Sequence, residues 1–232
     1  FILGALGSVP VSAADGASVV LAVTATGRET EDLAAALRCV IPPTSVAEMP
    51  SWETLPHERL SPRSDTMGKR TAVLRRLAHP IDGDPVAGPI RVLVAPIRAV
   101  MQPLVVGLGE VEPVRLRAGD EASIEEVIER LIDAAYSRVD MVEHRGECAV
   151  RGGILDVFPP TEDHPLRLEF WGDTIEEVRW FSVADQRSLE IADHGLWAPP
   201  CRELLLTQQI QNRAADLIDH LPGVADMLGQ LA

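Results

Sequence analysis

The sequence predicts an α/β protein: a parallel-sheet domain, an inserted α+β domain, and a helical return. Three observations carry this. Two apolar runs, "SVVLAVTATG" (18–27) and "IRVLVAP" (90–96), lack polar alternation, as strands buried on both faces do. Helical patterns lie between them, which is the βαβ arrangement of a parallel sheet. Beyond about residue 104 the pattern turns to short β-type segments with glycine turns, around one strong helix.

Taken in order, the run at 18–27 is the first strand. "RETEDLAAALRCV" then carries Leu33, Ala36 and Leu37 at helical spacing, with acids in the first turn where the helix dipole favours them. "SWETLPHERLSP" has two prolines and no period, so it reads as loop. "SDTMGKRTAVLRRLAH" (64–79) reads as a helix capped by Ser64 or Asp65 and ended by Pro80. "IDGDPVAGP" is turn-rich and leads into the strand at 90–96.

In the second region, "SIEEVIERLIDAAY" (123–136) reads as a helix. Ser123 and Glu126 suggest a capping box, and Ile124, Val127, Leu131 and Ile132 an apolar stripe. "ECAVRGGILDVFPP" is strand-like with a break at Gly152-Gly153. "LRLEFWGDTIEEVRWFSV" alternates through Leu166, Leu168 and Phe170, turns at Gly172-Asp173, and continues through Ile175, Val178 and Trp180; this is an antiparallel hairpin. "LLLTQQIQNRAADLIDHL" returns to helix. The expected boundaries are 1–106, 107–197 and 198–232.

Composition narrows the function classes. The 232 residues are 46% hydrophobic, as in a globular chain, and carry a net charge of −14. A uniformly acidic chain repels a phosphate backbone, which argues against avid nonspecific binding to nucleic acid. Cys39, Cys148 and Cys201 are widely spaced, without a CxxC pair, and the six histidines form no HExxH, so no metal site is expected. The cysteines read as reduced thiols of a cytoplasmic protein. No apolar stretch reaches the roughly 20 residues of a membrane span, and no export signal is legible.

The opening "FILGALGSVPVS" has the outline of a phosphate-binding loop. A working loop reads GxxxxGK[ST]. Here Gly4 and Gly7 lead to Ser8, Val9 and Pro10, and no lysine or arginine lies between Phe1 and Thr26. The stretch is therefore expected to bind no nucleotide. No catalytic constellation is legible either: Glu143, Glu147, Asp156 and Glu169 are scattered, and His144 reads as a surface residue.

The chemical interest falls on 143–160 and 165–183. Alternation puts Arg167 opposite Leu166 and Leu168, with Glu169 and Trp171 on its own face, unless a bulge intervenes. Arg167 is expected to be exposed. Exposed arginine beside exposed tryptophan is the composition of a protein–protein hot spot. The competing reading is a solvated strand face whose arginines pair with local acids.

"RGECAVRGGILDVFPP", followed by "RLEFWGDTIEEVRWFSVADQRSL", resembles the second domain of UvrB. It resembles still more the UvrB-homologous N-terminal module of the transcription-repair coupling factors (Mfd), and "PSWETLPHERLSP" strengthens that second likeness. The resemblance implies a degenerate RecA-like helicase domain without ATP hydrolysis, and an inserted domain that docks onto UvrA. The matching docking positions are Arg151, Arg167 and Trp171, the last standing where the family often has Phe. Ala149 stands where UvrB has a further arginine.

In the full-length family, ATP and Mg²⁺ serve a DNA translocase motor. RNA polymerase and double-stranded DNA are further partners, and a C-terminal domain covers the docking surface. This chain is thus expected to be no enzyme and to need no cofactor. Two alternatives stand beside this: a UvrB-like, nucleotide-dependent helicase or excinuclease fragment binding damaged DNA, and a DNA-binding module. The missing loop lysine speaks against the first. The acidic charge and the single tyrosine, Tyr136, speak against the second.

Overall fold

The computed structural model describes residues 18–54, 61–206 and 208–218, with 220, 221, 223 and 229 beyond them. The opening loop at 1–12 lies outside the described residues, as do 55–60 of the proline-rich stretch and most of 219–232.

The first sheet has three parallel strands in the order β1-β3-β2: β1 is Val20–Thr24, β2 Val46–Glu48 and β3 Val92–Pro96. β3 is central, and all five of its residues are buried. Helix α1 (Gly27–Arg38) packs Ala34 and Leu37 on one face, against Ala22, Val92 and Val94. Helix α2 (Ser64–Ala78) packs Val73 and Leu74 on the other, against Ala47, Leu93 and Ala95. Helix cover on both faces selects the unbroken apolar run of β3. β1, whose run also reads as buried on both faces, instead leaves Leu21 and Val23 about half exposed, because α2 packs on β2 and β3 and not on this edge strand. Ala36, expected in the α1 stripe, is exposed, and Ala34 takes its place. β2 escapes a sequence reading because three residues hold no period. The same is true of the short helix α3 (Ile97–Met101).

The second sheet has six strands in the order β10-β9-β8-β7-β6-β5: β5 is Ser137–Arg138, β6 Glu147–Arg151, β7 Ile154–Val157, β8 Leu166–Trp171, β9 Thr174–Phe181 and β10 Ser188–Ile191. All its pairings are antiparallel except β5–β6. Helix α4 (Ile124–Asp133) covers its inner face, burying Val127, Ile128 and Leu131 against Leu155, Leu166, Leu168 and Ile175. A separate antiparallel pair, β4 (Val114–Leu116) with β11 (Leu196–Ala198), brings the start and end of this unit together. Helix α5 (Gln208–Ile218) follows.

Three local expectations fail for identifiable reasons. Ser123 is the N-cap of α4, but its side chain makes no capping hydrogen bond; its hydroxyl bonds Glu125 Oε2 at 3.1 Å instead. Ile132 is exposed, because the stripe passes through Ile128. The N-cap of α2 is Arg63, not Ser64 or Asp65. Ser64 Oγ donates instead to the Arg145 carbonyl at 2.6 Å, and Asp65 Oδ1 accepts from the Thr66 N–H.

That hydroxyl is one of several ties between α2 and the second unit. Gly68 faces Pro160 so closely that a Cβ would lie 2.0 Å from the proline Cγ. Thr71 Oγ1 donates to the Pro200 carbonyl at 2.9 Å, and Trp197 packs on Ala72 and Ala87. Arg70 is fully buried: its Nε meets Glu203 Oε1 at 2.5 Å, and its Nη1 donates to the Pro50 carbonyl at 2.8 Å. Its guanidinium sits 5.6 Å from the centre of the Trp52 ring. "PSWE" therefore wraps this arginine. Asp84, in the loop after α2, accepts from Arg115 and Arg117 and from the Val86 and Ala87 N–H groups.

Removing half of a buried pair leaves the other half uncompensated. Arg70→Met is expected to lower unfolding stability by about 3–5 kcal/mol in urea titrations. The double variant Arg70→Met, Glu203→Leu should recover most of that loss.

Burial pushes the Cys148 thiol up to about 11 and the Cys201 thiol to about 12, while Cys39 is exposed. Below the ordinary thiol value of 9.0 both states keep these protons. Above it the unfolded chain releases them first, so unfolding releases protons and stability falls as the pH rises from 9.0 through about 11. At pH 8 a thiol reagent should titrate Cys39 alone in the native protein and all three cysteines after denaturation.

Candidate docking surface

The outer face of the six-stranded sheet carries the three residues marked in the sequence. In a strand successive side chains alternate between faces. Leu166, Leu168 and Phe170 of β8 join the inner core, so Arg167, Glu169 and Trp171 face outward. The register shifts between Glu169 and Phe170: Glu169 pairs with Glu177 but Phe170 with Ile175. The extra residue, Glu176, lies on β9, so the alternation of β8 survives the bulge.

Register places the rest of the face. Asp156 of β7 stands opposite both Ala149 of β6 and Arg167 of β8, and Arg167 stands opposite Arg179 of β9. The next row holds Arg151, Ile154, Glu169 and Glu177. Trp171 lies two residues further along β8. Standard strand spacings put its Cα roughly 12 Å from that of Arg151.

Two tight turns end the hairpins on this side. Gly152 and Gly153 join β6 to β7, and Gly172 and Asp173 join β8 to β9. Gly172 has φ +61° while Asp173 has no positive φ, the requirement of a two-residue II′ turn.

The far end of the face is roofed. Phe181, Phe158 and Ala149 form a small second core with Val142, covered by Val139 and Val183. The near end is bare, and Trp171 is 77% exposed. Ala149 is buried in that second core.

Arg167 is not exposed as the sequence reading expects: its side chain is 12% accessible. The reason is its neighbours on the same face. Its Nε donates to Asp156 Oδ1 at 2.7 Å and its Nη2 to Asp156 Oδ2 at 2.8 Å. Its Nη1 reaches the Gln186 carbonyl at 3.3 Å and Ser188 Oγ at 3.5 Å. The guanidinium lies 4.8 Å from the centre of the Phe181 ring. Hydrogen bonding to Asp156 raises the Arg167 pKa, against the opposing effect of burial.

Arg151 donates from Nη2 to the same Asp156 Oδ2 at 2.7 Å, but its side chain remains 48% accessible. Arg179 and Glu177 form a second pair, at 2.5 and 2.8 Å, and their hydrogen bonds hold the carboxyl below its ordinary range and the guanidinium above it. The face thus sets its arginines among carboxylates, with like charges opposite across β8 and β9 and unlike charges along each strand, and is not a basic patch.

The structure brings Arg151, Arg167 and Trp171 to one face, with Arg151 and Trp171 open to solvent and Arg167 engaged. Sequence reasoning missed Asp156 as the hub. Its signal is a lone carboxylate in "ILDVF", between two arginine-bearing strands.

A cleft of about 640 Å³ lies elsewhere, at the ends of β2 and β3, with Glu48, Lys69, Arg76 and Glu162 on its walls. Among the described residues no group of three or more His, Cys, Asp or Glu side chains is arranged to hold a metal ion. No described helix is long and apolar enough to cross a membrane.

Comparison with known proteins locates this surface within a family match. Residues 114–199 match the model of the UvrB interaction domain. Over 221 residues, 91% of the chain, it is 54% identical to the transcription-repair-coupling factor of Mycobacterium bovis, and it spans 18% of that relative's length. The factor of Escherichia coli is 33% identical over 62% of the chain, which spans 12% of that protein. The UvrABC system protein B of Streptococcus equi subsp. zooepidemicus is 34% identical over 47% of the chain, which spans 17% of that protein.

Packing separates Phe181 from Trp171 on this face. Phe181→Ala should cost about 3–5 kcal/mol of stability. Trp171→Ala should stay within about 0.5 kcal/mol of the unmodified chain in the same denaturant titration.

Proposed function

Because residues 114–199 match the UvrB interaction domain and the chain is similar over most of its length to transcription-repair-coupling factors, we propose that it is a non-catalytic module, N-terminal in the longer chain, that docks onto UvrA. The observation that carries this reading is the bare end of the outer sheet face. A tryptophan that is 77% exposed stands there, on the same face as an arginine whose side chain is 48% accessible and as the hydrogen bonds that converge on Asp156. Aromatic and arginine side chains anchor protein interfaces, and tryptophan supplies large contact area at small entropic cost.

In this reading Trp171 enters an apolar recess on UvrA and slows dissociation. The free N–H groups of Arg151 meet a carboxylate and fix orientation. Arg167 belongs to the surface through its place in the network. Residues 1–106 are a degenerate RecA-like domain, 107–197 the docking domain and 198–232 the helical return. The only lysine in the sequence is Lys69, which does not follow the glycines of the opening loop as a phosphate-loop lysine does, and this supports a module that works without nucleotide or Mg²⁺.

The chain spans only 12% to 18% of the length of the relatives it matches, so activities of the whole protein extend the proposal. They are cytoplasmic recruitment of UvrA to a stalled RNA polymerase, translocation on double-stranded DNA by a motor elsewhere in the longer chain, and masking of this face by a C-terminal domain.

Titration of the purified chain against UvrA tests the reading. Binding at micromolar concentration or tighter is expected, with Trp171→Ala weakening it about 30-fold or more, the equivalent of roughly 2 kcal/mol. An unmodified chain that fails to bind, or a Trp171→Ala variant that binds equally well, would reject it.

A further inference from the structure

Arg151 is held through one nitrogen, on the same carboxylate that clamps Arg167. We infer that Asp156 is the positioning residue of this surface. Its buried carboxylate clamps Arg167 and, through the shared oxygen, directs Arg151, so that Arg151 alone of the two arginines meets the partner. This inference rests on the proposed docking to UvrA.

Asp156 is 1% exposed and lies beyond a partner's reach. Both of its oxygens are engaged: Oδ1 by Arg167, and Oδ2 by Arg167 and Arg151 together. Arg167 is anchored at all three of its nitrogens and against Phe181, which leaves it no ready fork for an incoming carboxylate. Arg151 contributes only Nη2, and the rest of its guanidinium faces solvent.

Two guanidinium groups converge on one oxygen, and like charges so close repel unless an anion lies between them. An amide cannot replace that anion. Asparagine brings one acceptor oxygen, and its NH₂ would face an N–H donor. Asp156 therefore does two jobs. It neutralises the pair, and it limits the rotamers of Arg151, lowering the entropy lost when the partner binds. Loss of Arg167 would weaken docking by releasing Asp156, not by deleting a contact.

The variant Asp156→Asn tests this, with its fold checked by circular dichroism. UvrA affinity is expected to fall about tenfold, mainly through faster dissociation. Arg151→Ala should cost about tenfold in the unmodified chain but less than about twofold in the Asp156→Asn background, because coupled residues are non-additive. Unchanged affinity in Asp156→Asn, or fully additive penalties, would overturn the inference.

A second readout needs no partner. The Nε–H groups of Arg151 and Arg167, followed by ¹⁵N relaxation, should lose order in Asp156→Asn. If they keep it, positioning is wrong whatever UvrA does, whereas failure of the unmodified chain to bind UvrA would reject the docking reading alone. Should Asp156→Asn not fold, Arg167→Gln carries the same test. Its penalty should be non-additive with that of Arg151→Ala, and additivity would make Arg167 a contact in its own right.

Discussion

The fully buried pair of Arg70 and Glu203 is the constraint around which the two sheets are arranged. A guanidinium taken wholly out of water is tolerable only beside an anion and other acceptors. Arg70 finds Glu203 on the segment after β11 and the Pro50 carbonyl on the segment after β2, with the Trp52 ring alongside. One side chain of α2 thereby ties two distant segments of the chain to that helix. The close approach of Gly68 to Pro160 and the Thr71–Pro200 hydrogen bond lie on the same helix and follow from the same closeness. Arg151, Asp156 and Arg167 of the outer sheet face are not among these ties, and the end of that face at Trp171 is exposed.

Charge on that face is organised by the same rule at a smaller scale. A chain of net charge −14 does not need to show a basic patch to attract a partner. It places arginines among carboxylates so that each is oriented, and leaves one partly unpaired. Complementarity of this kind serves specificity and register more than raw attraction.

Much of this was legible in the sequence, for local reasons. The β8–β9 hairpin is written in the alternation of Leu166, Leu168 and Phe170 and in the Gly172-Asp173 turn, all within twenty residues. The parallel strands are written in unbroken apolar runs. What was not legible depends on partners distant in sequence. Ser64 looks like a helix cap until Arg145 is seen beside it. Ser123 and Glu126 have capping-box spacing, yet the hydroxyl turns to Glu125. Alternation gave Arg167 the correct face but not its burial, because burial came from Asp156 on β7 and Phe181 on β9. Periodicity gives direction, whereas pairing across strands gives environment.

The β4–β11 pair has a mechanical meaning. Its antiparallel register, Val114 opposite Ala198 and Leu116 opposite Leu196, sets the chain's entry and exit side by side. Tension pulling those two ends apart would open the rungs singly, as a zipper, rather than load them together in shear. The residues just past the zipper are fastened on both sides. The Pro199 carbonyl takes the Tyr136 hydroxyl, the Cys201 N–H donates to the Ala134 carbonyl, Pro200 is held by Thr71, and Glu203 by Arg70. A pull from the C-terminal side therefore meets these fastenings before it reaches the strands. Load applied there is thus shared among four anchors before any β4–β11 rung carries it.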